Sequence, residues 1–225
     1  VNPLELLGQA ETPDGDDLKL TRRGNEYIIL ANGKSLMSSR THGSEEALAT
    51  LGSRRARLLK RPSVLIGGLG MGYTLRAALD FLPRDAHIAV AELVPAVVEW
   101  NRGPLGSLAN HPLKDKRVHV VVSDVGNILR SNANRFDAVL LDVDNGPSPF
   151  SSEHNARLYN HHGLADARVA LKEGGVLAVW SAREDRKFEQ RLRYCGFVVE
   201  VERVRARLKK GGPHHVIFLA HKDVL

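Results

Sequence analysis

The sequence predicts an α/β domain: a doubly wound, mostly parallel sheet of seven strands whose last strand runs antiparallel, preceded by a small N-terminal β appendage. Three observations carry that prediction. Ser63 to Gly67 is a short apolar run ending in Gly67-Gly68-Leu69-Gly70-Met71-Gly72, after which Leu75, Ala78, Leu79 and Leu82 recur at helical spacing. Beyond it, strand-like and helix-like segments alternate, the pattern of a parallel sheet covered on both faces. The final two strand candidates are separated only by a basic segment and Gly211-Gly212-Pro213, so they pair as an antiparallel hairpin.

Residues 1–43 read as the β region. Leu18 to Thr21 and Tyr27 to Leu30 are strands joined by the turn Arg23-Gly24-Asn25, and Asn32-Gly33 turns the chain into a third strand over 34–38. Residues 44–225 read as the α/β domain. Ser44-Glu45-Glu46 starts a helix carrying Ala47, Leu48, Leu51, Leu58 and Leu59, and Pro62 leads into the first buried strand. Strands are expected at 63–67, 86–91, 117–122, 136–142, 174–180, 197–203 and 214–220. Helices are expected at 72–82, 95–101, 125–131, 153–172 and 184–194.

A chain of 225 residues with 43% hydrophobic content has enough apolar material for one such core. It contains no apolar run long enough for a membrane helix and no secretory leader pattern, so the expected setting is the cytoplasm. Cys195 is the single cysteine, at a helix end, and reads as a buried inert thiol. The net charge of +6 concentrates in Arg54, Arg55, Arg57, Lys60 and Arg61, and in Arg203, Arg205, Arg207, Lys209 and Lys210. Aromatic content is only 5%, with none interleaved among these clusters for base stacking. Solvated faces are the favoured reading, and nucleic acid the less favoured partner. The ten histidines show no metal-ligand spacing, and Trp180 reads as core or pocket wall.

Ligands of an open α/β sheet bind beyond the carboxyl ends of its strands. Gly67, Gly68, Gly70 and Gly72 let the first turn approach a ligand closely. Glu92, with Leu93 beside it, ends the second strand, where a carboxylate accepts hydrogen bonds from both ribose hydroxyls of an adenosine. Asp124 ends the third strand and suits an adenine amine, with the Val125 N–H facing the ring; its alternative role is the cap of the next helix. The fourth strand empties into Asp142-Val143-Asp144-Asn145-Gly146-Pro147, where Asp142, Asp144 and Asn145 are the catalytic candidates. Paired acids there bind an amine or take a proton from it.

These segments resemble the spermidine synthase family between about Asn32 and Ser181. The glycine turn is similar to that family's Gly-Gly-Gly-Asp-Gly-Gly-x-x-Arg, and Ala91-Glu92-Leu93-Val94-Pro95-Ala96-Val97-Val98-Glu99 to its Val-Glu-Ile-Asp-x-x-Val-Val-Glu. The resemblance implies a methyltransferase-type sheet, Glu92 on the ribose, Asp124 on the adenine, and often a dimer or tetramer. Departures are specific. Gly70 stands where the family has the aspartate that recognises the aminopropyl amine of decarboxylated S-adenosylmethionine. In the Asp-Ser-x-Asp-Pro loop, Asp142 matches the first aspartate, while Asn145 and Gly146 fall on the second and on the proline. The family's Asp-Gly-x-x-Gln becomes Asn32-Gly33-Lys34-Ser35-Leu36, and its Tyr-His-Glu falls near Ser44-Glu45-Glu46.

Glycine at position 70 removes a charge that would repel the carboxylate of intact S-adenosylmethionine. The expectation is therefore methyl transfer from S-adenosylmethionine to a small-molecule nucleophile, with an amine among the candidates and no metal. Alternatives are aminopropyl transfer from decarboxylated S-adenosylmethionine with Asp144 as base, nucleotide binding without turnover, and methylation of nucleic acid.

Overall fold

The computed structural model describes residues 3–143, 146–147, 157–206 and 212–223. Four antiparallel strands come first: β1 (Glu5–Glu11), β2 (Asp17–Arg23), β3 (Glu26–Ala31) and β4 (Lys34–Ser38), paired in that order. Asn32 and Gly33 both take positive φ at the β3–β4 hairpin, as the Asn-Gly pair requires. β1 was not expected from the sequence. Its run Glu-Leu-Leu-Gly-Gln-Ala-Glu is broken by Gly8, where the register with β2 shifts. A Cβ on Gly8 would collide with the Trp100 indole, so the glycine that hides the strand from pattern reading is what lets it pack.

α1 (Gly43–Gly52) leads into a seven-stranded sheet with strand order β10-β11-β9-β8-β5-β6-β7. Its members are β5 (Ser63–Gly67), β6 (His87–Glu92), β7 (Val118–Val122), β8 (Phe136–Leu141), β9 (Leu171–Ser181), β10 (Val198–Arg205) and β11 (His214–His221). β5, β6, β7, β8 and β9 pair in parallel, and β11 is antiparallel to both β9 and β10. β5 and β8 are adjacent although they are not consecutive in sequence, and the strand order reverses at β5. The chain ends of these strands therefore open a crevice at the topological switch point.

The helices are α2 (Tyr73–Phe81), α3 (Pro95–Arg102), α4 (Val125–Arg130), α5 (His161–Ala170) and α6 (Arg186–Tyr194). Val64 and Ile66 of β5 face one buried cluster, while Leu65 faces the other with Val139 and Leu177. Alternation within one strand thus supplies both faces of the sheet.

Two helix expectations change. α1 stops at Gly52, a glycine packed so closely on Leu140 and Ala178 that a Cβ would strike both; Leu58 and Leu59 lie beyond it, Leu58 85% exposed. The segment expected to be helical through residue 172 turns into β9 at Leu171 instead. Gly174, at φ 76°, and Gly175 accommodate the irregular start of that strand. Cys195 is only partly buried, its thiol pushed up chiefly by desolvation.

Candidate active site

The turn after β5 is held from three sides. Gly68 donates its N–H to the Ala91 carbonyl at 2.8 Å, Asp142 donates its own to Gly67 at 2.9 Å, and the Asn101 amide donates to the Gly70 carbonyl at 2.8 Å. Gly68, Gly70 and Gly72 have φ of 90°, 50° and 84°. Of the four glycines singled out in the sequence, Gly68 and Gly70 line a cavity of about 180 Å³ between the two sheets. Gly67 instead packs under Val125 and Leu141, and Gly72 precedes α2 against Asn101 and Pro112.

Glu92, Leu93, Asp124, Val125 and Asp142 all line the same cavity, which Leu18, Ile29, Leu36 and Met37 roof from the N-terminal sheet. Glu92 is 8% exposed. One of its oxygens accepts the Leu69 N–H at 2.9 Å and the other the Val94 N–H at 2.9 Å. Burial pushes its carboxyl up from the ordinary value, and these backbone donors pull it back. The Leu93 and Gly70 N–H groups add to that pull. Asp124 takes its capping role, accepting the Asn127 N–H at 3.1 Å, while still facing the cavity.

Glu92→Gln is expected to weaken adenosine-nucleotide binding at least tenfold, about 1.4 kcal/mol. The amide would set an N–H₂ against one of the two backbone N–H groups and offer one acceptor fewer. Calorimetric titration measures this; an unchanged affinity would remove Glu92 from the ligand.

A small cavity of about 10 Å³ adjoins the larger one, with Met37, Gly70 and Asp142 lining both and Glu45 and Thr74 facing the smaller. Thr74 donates its hydroxyl to Asp142 at 2.6 Å, and Ser44 donates its own to Glu45 at 2.7 Å. Desolvation raises both carboxyls, and the charge of Asp142 raises Glu45 further. Two partly buried acids brought together share protons readily or hold a cation. Thr74→Val removes a hydrogen bond that stabilises ionised Asp142, so its titration is expected to move further upward. Carboxyl-resolved NMR reads that shift directly.

Glu45 is the functional candidate that sequence reasoning did not select. An acidic residue in the first helical turn reads as a complement to the helix dipole, and only the fold brings it to Asp142. Asp144 and Asn145 lie outside the described residues. Among the described residues no cluster with metal-ligand composition occurs, and no helix is long and apolar enough to cross a membrane.

The strand order, the antiparallel β11 and the glycine turn facing Glu92 define a class I S-adenosylmethionine-methyltransferase-like fold. Residues 43–194 match the spermine/spermidine synthase domain, and the chain belongs to that family. A polyamine aminopropyltransferase of Mycobacterium tuberculosis is 32% identical over 168 residues, covering 72% of this chain and 30% of the relative. Polyamine aminopropyltransferase 2 of Ralstonia nicotianae is 32% identical over 137 residues, covering 60% and 26%. The chain thus spans about a third or less of the length of these curated relatives. In structure it is similar to the spermidine synthase from Thermotoga maritima, with a TM-score of 0.75 and 19% identity over 98% of this chain and 74% of that one.

Proposed function

We propose that the chain is an aminopropyltransferase that alkylates a polyamine-type amine with decarboxylated S-adenosylmethionine. The observation that carries this reading is the Glu45–Asp142 carboxyl pair at the end of the donor cavity, where an ammonium group gains two acidic partners. In this proposal Glu92 holds the ribose and Asp124 the adenine, Leu93 and Val125 wall the base, and Gly68 and Gly70 cradle the nucleotide. Asp144, with Asn145 beside it, adds a base from the loop after β8. Residues 1–43 form the small β region that roofs the cavity and 44–225 the methyltransferase-like catalytic domain.

The family relatives weigh against the methyl transfer expected from Gly70, and backbone conformation supplies another reason for that glycine. The φ there is 50°, in the left-handed region that favours glycine, while the Met37 methyl carbon 2.9 Å from an added Cβ is the flexible end of a side chain. Glycine therefore does not by itself signal room for a donor carboxylate.

Parallel titrations with S-adenosylmethionine and its decarboxylated form, followed by product analysis with putrescine, test the proposal. Tighter binding of the decarboxylated donor and release of methylthioadenosine are expected. Preference for the carboxylated donor, with a methylated product, would overturn it.

A further inference from the structure

Alkylating an ammonium substrate at nitrogen releases one proton per turnover. The substrate nitrogen must shed a proton to attack the sulfonium carbon, and the product amine keeps its remaining charge. If Glu45 and Asp142 receive that proton, it must then leave a cavity of about 10 Å³, which has room for about one water at most. Behind Glu45 the structure offers a path. Ser44 is 1% exposed and donates its hydroxyl to Glu45 at 2.7 Å, and the same oxygen lies 2.9 Å from Nδ1 of His215 on β11. His215 is partly exposed and packs edge-on to Trp180 of β9, ring centroids 4.7 Å apart.

We propose that Ser44 and His215 form a proton relay that carries the proton of the acceptor amine from Glu45 to the solvent side of β11. The proposal rests on the amine-alkylating reading above. With Glu45 protonated, its hydroxyl donates to Ser44 Oγ while Ser44 donates to the bare Nδ1 of His215. Moving both protons one step regenerates the Glu45 carboxylate, restores the Ser44 hydroxyl and leaves an imidazolium, which releases its proton from Nε2 and becomes the Nδ1–H tautomer; exchange with solvent returns it to Nε2–H before the next cycle. One proton enters and one leaves. The groups facing His215 favour release: it sits between neutral Trp180 and Ser44, while burial, and then neighbouring His214, hold its pKa below the ordinary value.

The relay predicts that His215 switches tautomer: Nδ1–H donates to Ser44 while Ser44 donates to ionised Glu45, and Nδ1 accepts from Ser44 once Glu45 is protonated. Imidazole-¹⁵N NMR of the wild-type chain should show the acceptor signature appear as Glu45 takes up its proton, and Ser44→Ala should abolish it. In turnover with decarboxylated S-adenosylmethionine and putrescine, Ser44→Ala and His215→Asn should lower kcat about tenfold, less than the roughly hundredfold or greater loss of a group that takes the substrate proton directly. KM for both substrates should stay near wild type, and added imidazole should restore part of the rate to His215→Gly. Asparagine keeps a hydrogen-bonding atom toward Ser44 but cannot carry the proton, so it separates relay from packing. An Nδ1–H donor to Ser44 across the titration, or wild-type kcat in both variants, would overturn the relay while leaving the aminopropyl reading intact. A wild-type chain that binds the donor yet alkylates no amine would overturn that reading and the catalytic use of the relay together. In that case the NMR signature alone decides whether the hydrogen-bond chain exists.

Discussion

Gly68→Ala is expected to destabilise the fold by about 3 kcal/mol and to abolish nucleotide binding. Two costs add. At φ 90° a Cβ carries backbone strain of about 1–2 kcal/mol. The new methyl would also run into the Asp142 carbonyl oxygen and lie 3.3 Å from a Val143 methyl, and overpacking of this kind costs about 1–3 kcal/mol. A carbonyl is not a flexible side chain. It yields only by pulling the end of β8 from β5, where Asp142 N–H meets the Gly67 carbonyl at 2.9 Å. For a chain of this size the midpoint of thermal unfolding should fall by about 10 °C. Gly33→Ala is the internal comparison: its φ of 75° carries the strain, but nothing lies within 4 Å of the added carbon. If both variants melt together, the close approach at Gly68 contributes nothing and the cavity floor is softer than the geometry implies.

The parts of this molecule that were legible in the sequence are those whose cause is local. β5 announced itself by its apolar run, the turn by its glycines, and Glu92 and Asp124 by standing where strands end. The antiparallel β11 followed from the missing crossover helix. What could not be read depends on partners remote in sequence. β1 needs the Trp100 indole to explain Gly8. Glu45 gains its meaning only when the fold sets it beside Asp142 and ties it, through Ser44, to a histidine on β11 that had shown no pattern at all.

Glu45→Gln is expected to cut kcat/KM for the amine by about a hundredfold, the low end for a lost acid–base group, while leaving donor affinity near wild type. The same change should stabilise the free protein in alkaline solution. The sign follows from linkage: the folded-state pKa of Glu45 is raised to about 7 by burial and by Asp142, above its value in the unfolded chain. Below the unfolded value Glu45 is protonated in both states and carries no penalty. As pH rises from there through the folded pKa, the native state binds a proton that the unfolded state has already released, and stability falls. Glutamine cannot ionise, so its curve should flatten across that window and lie about 1 kcal/mol or more above wild type at pH 8, each pKa unit being worth about 1.4 kcal/mol. Denaturant titrations at pH 5 and pH 8 separate the two effects. A variant less stable than wild type at pH 8 would mean that a cation of this chain already neutralises Glu45. The carboxyl pair would then not be free to receive a substrate ammonium. A gain in stability with unchanged amine kinetics would place the acceptor elsewhere along the donor cavity. Stability gained and activity lost together are the signature of an acidic site kept unpaired for its substrate, since the ammonium is then the counter-charge that the fold withholds.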